Sequence, residues 1–208
     1  MKARFILPFC VVCMVEVFSL TAVSAQNSDT PDRGLWFNDT HSPIRRFAYS
    51  QVVLWPSSLG GHLYLNLKGE KETVTWDMYR QTFTRPPRWE NDPISWNYGA
   101  HPIMGSLYYL SYRNKRAHWV EAFAGAAINS AIYEYVIAGG TQRPSANDLI
   151  VTPVLGSLLG EGIYQFKKQL LKDHHLSVIE KIAITAADPF EVLYYGFNYN
   201  KICRVNYR

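Results

Sequence analysis

From Ser95 onward apolar positions recur every three to four residues, and the chain reads as a run of helices. His101 to Arg113 is the first, with Ile103, Leu107 and Leu110 on one stripe and Pro102 in its tolerant first turn. Ala117 to Ala138 is the second, and Gly139-Gly140 stops it. Ser145 and Asp148 predict a capping box. The Ser145 hydroxyl accepts from the amide of residue 148, and the Asp148 carboxylate reaches back to the amide of residue 145. A third helix follows to about Lys172, kinked at Pro153. Ser177 and Glu180 form a second capping box and open a fourth helix to Ala187, and Asp188-Pro189 restarts a short one. From Tyr194 the tail is aromatic and polar, without a period.

Upstream the pattern is mixed. Gln51 to Trp55 is a short apolar run ended by Pro56. His62 to Leu67 alternates, which fits a half-buried strand and one face of a helix equally. Glu72 to Phe83 carries Val74, Met78 and Tyr79 at helical spacing. Arg85-Pro86-Pro87-Arg88 and Asn91-Asp92-Pro93 are turns or linkers. Residues 26–34 are a loose polar start.

The first 25 residues have the pattern of a secretory signal: basic Lys2 and Arg4, an apolar stretch from Phe5 to Leu20 broken by Glu16 and Ser19, and Val23-Ser24-Ala25 before a cut at Gln26. No cysteine follows that cut, so a lipid-anchored lipoprotein is not expected. Composition bounds the remainder. The 208 residues are 48% hydrophobic, 14% aromatic and 18% charged, which excludes disordered, collagen-like, coiled-coil and disulfide-dense classes. Lys2, Arg4 and Glu16 leave with the signal, and 19 basic residues then face 16 acidic ones. That weak, dispersed charge does not suggest nucleic acid. Cys203 remains alone and reads as a small buried hydrophobe.

The second and third helices carry the candidate chemistry. Their small residues, Gly125 and Ala126 in one and Gly156-x-x-x-Gly160 in the other, allow close backbone approach; Gly105 in the first helix does likewise. Both are near the 20 or so apolar residues that a bilayer span needs, so they are core helices of a bundle or helices buried at a membrane. His101, Arg113, Glu134, Asp148 and Glu161 interrupt otherwise apolar surroundings. If the three helices pack together, these groups converge. Glu134 is then partly desolvated, and Arg113 and His101 are its expected partners. One reading is catalytic: Glu134 or Glu161 as general base, His101 as acid–base partner and Asp148 beside them. The other is a buried polar network that fixes helix register. Ser145 and Asn147 sit at the start of the third helix as capping or ligand-binding positions. The spacing supports no metal, since His-Glu-x-x-His is absent and the adjacent His174 and His175 point about 100° apart on a helix. A Gly-x-Ser-x-Gly elbow is absent too, and the sequence leaves any cofactor unknown.

The stretch Trp96-Asn97-Tyr98-Gly99-Ala100-His101-Pro102-Ile103-Met104-Gly105-Ser106-Leu107-Tyr108-Tyr109 resembles the opening motif of the bacterial domain of unknown function 3943 family. Arg113, Glu134-Tyr135, Pro144 to Ile150, Thr152 and Gly156 with Gly160-Glu161 extend the likeness over about residues 90–172. It implies an exported protein of the Gram-negative envelope and names no reaction. Tyr133 stands where the family usually has Trp, and Ile137-Ala138-Gly139 where acidic residues often follow the glutamate. A looser pattern, a His, a Glu, a Ser-x-x-Asp and a glycine pair in that order, is similar to VanZ-like membrane proteins.

The expected fold is mainly α: a compact helical bundle at residues 91–193 behind an amphipathic, aromatic-rich region at 26–90, with a tail at 194–208. A β-barrel is disfavoured because alternating ten-residue segments are missing. The expected function is that of an exported envelope protein, periplasmic or at the outer membrane, with a structural or interaction role and with envelope lipid or an envelope protein as partner. The alternative is a hydrolase or transferase acting on envelope lipid or glycan. An inner-membrane protein with spans near 5–25, 119–138 and 149–168 is a third reading.

Overall fold

The computed structural model describes residues 42–67, 73–90, 92–172 and 176–206. The expected signal sequence, the polar start and the His174-His175 pair lie outside them. Eight α-helices are described: α1 (Pro43–Leu67), α2 (Trp76–Thr84), α3 (His101–Arg113), α4 (Trp119–Ile132), α5 (Ala146–Leu170), α6 (Val178–Ala187), α7 (Pro189–Tyr194) and α8 (Tyr199–Asn206). A π-helical turn, Trp96–Ala100, leads into α3, and another, Tyr133–Ile137, continues α4. Among the described residues the only β-type pairing is an isolated bridge between Arg88 and Ser145. The mainly α bundle expected from the sequence is the observed fold.

Two expectations change and one open choice is decided. The run ended by Pro56 does not end there, because α1 continues to Leu67. The Ser57 and Ser58 hydroxyls bond to the Val53 and Leu54 carbonyls around the proline, and the buried Val53 and Leu54 pin this stretch against α3 and α4. Packing and local hydroxyl bonds therefore outweigh the break that proline favours. The alternating His62–Leu67 segment is helix. The tail without a period is also helical in part, because α8 buries Ile202 and Cys203 against Leu171, Ile184, Val192 and Tyr195.

Helix starts follow the local chemistry. Thr75 caps α2, Ser145 caps α5, and Ser177 with Glu180 forms the complete box at α6. Asp188 caps α7 with Pro189 in the first turn.

Helices α3, α4 and α5 run up, down and up, so α3 and α5 lie parallel, and their contact is the most extensive in the fold. It rests on absent side chains. A Cβ on Gly105 would enter the carbonyl group of Thr152, and one on Gly156 would lie 2.6 Å from the Gly105 carbonyl carbon. Gly160 is roofed by the Tyr109 ring, and Gly125 of α4 by the Tyr112 ring. Around this seam Tyr108, Tyr109, Tyr112, Ala122 and Ala126 form the first core cluster with α1. Gly162, in the same helix α5, has open space where its Cβ would be.

The two glycine classes predict opposite outcomes. Gly105→Ala should destabilise the protein by about 3 kcal/mol, because the obstacle is backbone that cannot rotate away. Gly162→Ala should stabilise it by about 0.5–1 kcal/mol through helix propensity. Urea midpoints of the two variants check both signs.

Candidate functional site

The sequence-predicted polar residues divide into two groups at opposite ends of the α3–α5 seam. At the N-terminal end of both helices, His101 Nε2 lies 3.4 Å from Asp148 Oδ1. The π turn after α4 delivers Glu134 to the same place, and its Oε2 accepts from the Ser145 amide at 2.8 Å. Glu134 is 1% exposed and Asp148 3%. Three links tie α5 to its neighbours here. Ser130 Oγ donates to the Asp148 carbonyl, Asn147 Nδ2 donates to the Glu90 carbonyl at 3.0 Å, and the Arg88 amide donates to the Pro144 carbonyl.

The capping box at α5 is therefore shared differently from expectation. The Ser145 hydroxyl does accept from the Asp148 amide, at 3.3 Å. The return bond to the Ser145 amide comes from Glu134 rather than from Asp148. The reason is geometric: α4 runs antiparallel to α5, so its last turn meets the unpaired N–H groups at the start of α5, where a carboxyl acceptor is favoured. Asp148 is left facing His101.

Burial pushes the Glu134 carboxyl up to about 8, and the Asp148 charge adds to this, while the Ser145 amide bond works against it. Asp148 is also raised, by burial first, with His101 opposing. Burial thus favours the protonated form of Glu134 near neutral pH. Among the described residues, Asn97 Oδ1, Glu134 Oε1, Asp148 Oδ1 and Thr152 Oγ1 are buried without a hydrogen bond. All four belong to this end of the bundle, and both π turns border it, one bearing Asn97 and the other Glu134. Such turns are frequent at functional sites.

At the far end of the seam, Arg113 holds Glu161 in a two-pronged pair of 2.8 and 2.9 Å. Tyr109 donates to the same carboxylate at 2.5 Å and Gln165 at 2.7 Å. The guanidinium also lies 4.1 Å above the Tyr164 ring. Partial burial tends to raise the Glu161 carboxyl, but the bonds from Arg113, Tyr109 and Gln165 hold it well below the ordinary carboxylate range. This corrects one expectation: Arg113 is the partner of Glu161 and not of Glu134. The twelve helical steps from His101 to Arg113 span roughly 18 Å, which keeps the two ends apart. Gly105, Gly156 and Gly160 lie between them as packing positions, as the small-residue spacing predicts.

A third polar group was missed. Lys167, 0% exposed, donates to Asp188 Oδ2 and Glu191 Oε2 at 2.6 Å each and to Asn114 Oδ1 at 3.0 Å. Asn114 donates in turn to Asp188. Lys115, also fully buried, donates to the Tyr195 hydroxyl at 2.9 Å and sits 4.3 Å from the Tyr49 and Tyr194 rings. Burial pulls the Lys115 ammonium down to about 7, against the raising effect of Glu191 and Asp188. A signal for Lys167 was legible: it falls three residues after Tyr164 and seven after Gly160, on the inward stripe of α5. Asp188 was recognised as a helix cap, but its role as counterion was not.

Chemically, the His101–Glu134–Asp148 end can hold and exchange a proton, whereas the Arg113–Glu161 end is a locked pair. Among the described residues no group of three or more His, Cys, Asp or Glu is arranged to hold a metal ion.

Two predictions follow from these partners. Lys167→Met should cost about 3–5 kcal/mol in thermal or urea unfolding, since it strands two buried carboxylates, and adding Glu191→Gln should recover part of the loss. Glu134 binds its proton more tightly folded than unfolded. Its burial is therefore best tolerated below about pH 4.5 and penalised as the pH rises toward 8, by at most about 1.4 kcal/mol per pH unit. Glu134→Gln, which retains an acceptor for the Ser145 amide, should flatten that stretch of the stability–pH curve.

Comparison with known proteins places this geometry in a family. A family profile, Domain of unknown function (DUF3943), matches residues 86–190, a segment that holds both ends of the α3–α5 seam. No curated protein and no solved structure matches the chain. The match spans half of the chain, and the protein belongs to the DUF3943 family.

Proposed function

We propose that the protein is an exported component of the Gram-negative cell envelope, periplasmic or at the outer membrane, that acts as a structural or interaction protein. The observation that carries the role is how its ionisable side chains are used. Arg113 and Glu161 neutralise one another, Glu134 completes the start of α5, and Lys167 is matched by Asp188 and Glu191. Each group fixes one helix against the next, which is what a register-setting network requires. Export rests on the first 25 residues, with their basic start, apolar stretch and Val23-Ser24-Ala25.

A second reading has one specific observation in its favour. Glu134 holds a proton near neutrality beside the Asp148–His101 pair, a combination suited to general acid–base work on an envelope lipid or glycan. Glu161 has no part in it. Complementation of a deletion strain by Glu134→Gln separates the two. A fully folded variant that restores the phenotype supports the structural role, and a folded one that fails favours proton transfer.

Export itself predicts a measurable product. The full chain produced in a Gram-negative host should yield a species that begins at Gln26 by intact-mass analysis and is released with the periplasmic or outer-membrane fraction. A chain that keeps residues 1–25 in the cytoplasm would remove the envelope assignment.

A further inference from the structure

The outer surfaces of α4 and α5 carry an observation that the polar network does not explain. Between Trp119 and Ile137 the charged side chains are Glu121 and Glu134, and both have partners in the bundle: Arg46, at 2.7 Å, and the Ser145 amide. Between Leu149 and Phe166 the one charge is Glu161, held by Arg113 with the Gln165 amide turned onto it. What faces outward is aliphatic and aromatic. Val120, Phe123 and Ile128 are exposed on α4, and Ile150, Val154 and Leu158 on α5, with Leu158 at 69%. This reverses the usual surface helix, which keeps charge outside and apolar groups within. Helix α5 is long and apolar enough to cross a membrane, yet only 33% of its most apolar stretch is buried inside the protein. A core helix of that composition would be mostly covered.

We propose that the joint outward face of α4 and α5 docks on the hydrocarbon region of a lipid bilayer, with the side chains at its two ends meeting the headgroups. This goes beyond the structural role above and holds equally if the acid end is catalytic. Three features select lipid over a protein partner. First, the face is long: α5 offers about 24 Å from Ile150 to Phe166 and α4 about 18 Å from Val120 to Ile132, and the charges along it, Glu121 and Glu161, are each held by an arginine. A protein-docking surface, by contrast, is normally rimmed by polar groups. Second, exposed indoles mark both ends. Trp119 stands at the start of α4, beside the Arg113–Glu161 end, and Trp89 and Trp96 stand at the start of α5 and α3. Indole rings favour the boundary between headgroup and chain. Third, charge is complementary at the Trp119 end. Arg116, Lys168 and Lys172 are exposed there, just past the apolar surface, where they can meet anionic headgroup phosphates.

The test uses the full chain with Cys10→Ser, Cys13→Ser and Cys203→Ala, into which single cysteines are introduced by Phe123→Cys, Leu158→Cys or Asn200→Cys. Each carries a nitrobenzoxadiazole fluorophore, and Asn200, exposed on α8, is the reference position. With phosphatidylethanolamine–phosphatidylglycerol vesicles whose acyl chains bear a nitroxide, positions 123 and 158 should lose most of their emission while position 200 keeps it. Before vesicles are added, aqueous iodide should quench all three. Undiminished emission at 123 and 158 with the nitroxide lipid overturns the proposal, as does equal quenching at 200. Protection of 123 and 158 from iodide without vesicles also overturns it, because the face would then be covered by a second copy or by residues 1–41. Anchoring of the chain through its first 25 residues alone cannot mimic the expected pattern, since it does not bring acyl chains to positions 123 and 158.

Discussion

The close approach of α3 to α5 is the constraint on which the other features depend. Gly105 and Gly156 meet backbone to backbone, and the Thr152 carbonyl occupies the space that a Gly105 side chain would need. Two parallel helices held at that distance have little freedom to slide, because any slip drives a Cβ or the Tyr109 ring into the opposing chain. Register is thereby set over the whole length of the pair. Once it is set, His101 must lie level with Asp148 at one end, and Arg113 level with Glu161 at the other. The polar contacts follow from the glycine contact, and they in turn raise the cost of misalignment, since each slip would separate buried charges from their partners.

The same seam explains why two carboxyl groups in one bundle are driven in opposite directions. Glu161 meets a full positive charge in a two-pronged geometry, with a phenol and an amide adding to it, and these outweigh its partial burial. Glu134 meets a backbone amide at the start of α5. That donor is weaker than a guanidinium, so desolvation prevails and the proton stays. Residue type alone does not separate the two glutamates. The separation comes from which end of the seam each one reaches.

That distinction also marks how far the sequence could be read. Helix starts were legible where side-chain chemistry is local: Ser145, Ser177 and Asp188 each accept from an amide three residues on. Close packing at Gly105, Gly156 and Gly160 was legible from spacing. The pairing of Glu134 was not, because it depends on the direction of α4 relative to α5, and a list of polar residues contains no direction. Treating His101, Arg113, Glu134, Asp148 and Glu161 as one converging set overlooked the length of α3 itself. The path of α1 through Pro56 and the presence of α8 were illegible for another reason. Each is decided by a few buried side chains, Val53 and Leu54 in one and Ile202 and Cys203 in the other, that reach neighbours far away in sequence.

The buried lysines show that the C-terminal helices are tied into the same bundle. Lys115 follows α3 and Lys167 lies in α5, while Asp188 caps α7 and Glu191 lies in it; formally the four charges sum to zero. A buried ammonium without a counterion would cost several kcal/mol, so α3 and α5 in their observed packing require α7 beside them. The family match ends at residue 190, one position before Glu191, the second anion of the pair on Lys167. Lys167, Asn114 and Asp188 lie within the matched segment, whereas Glu191 and the Tyr194 and Tyr195 rings around Lys115 lie just past it. The electrostatic unit of this protein is therefore longer than the segment by which its family is recognised, and it closes only when α7 has docked.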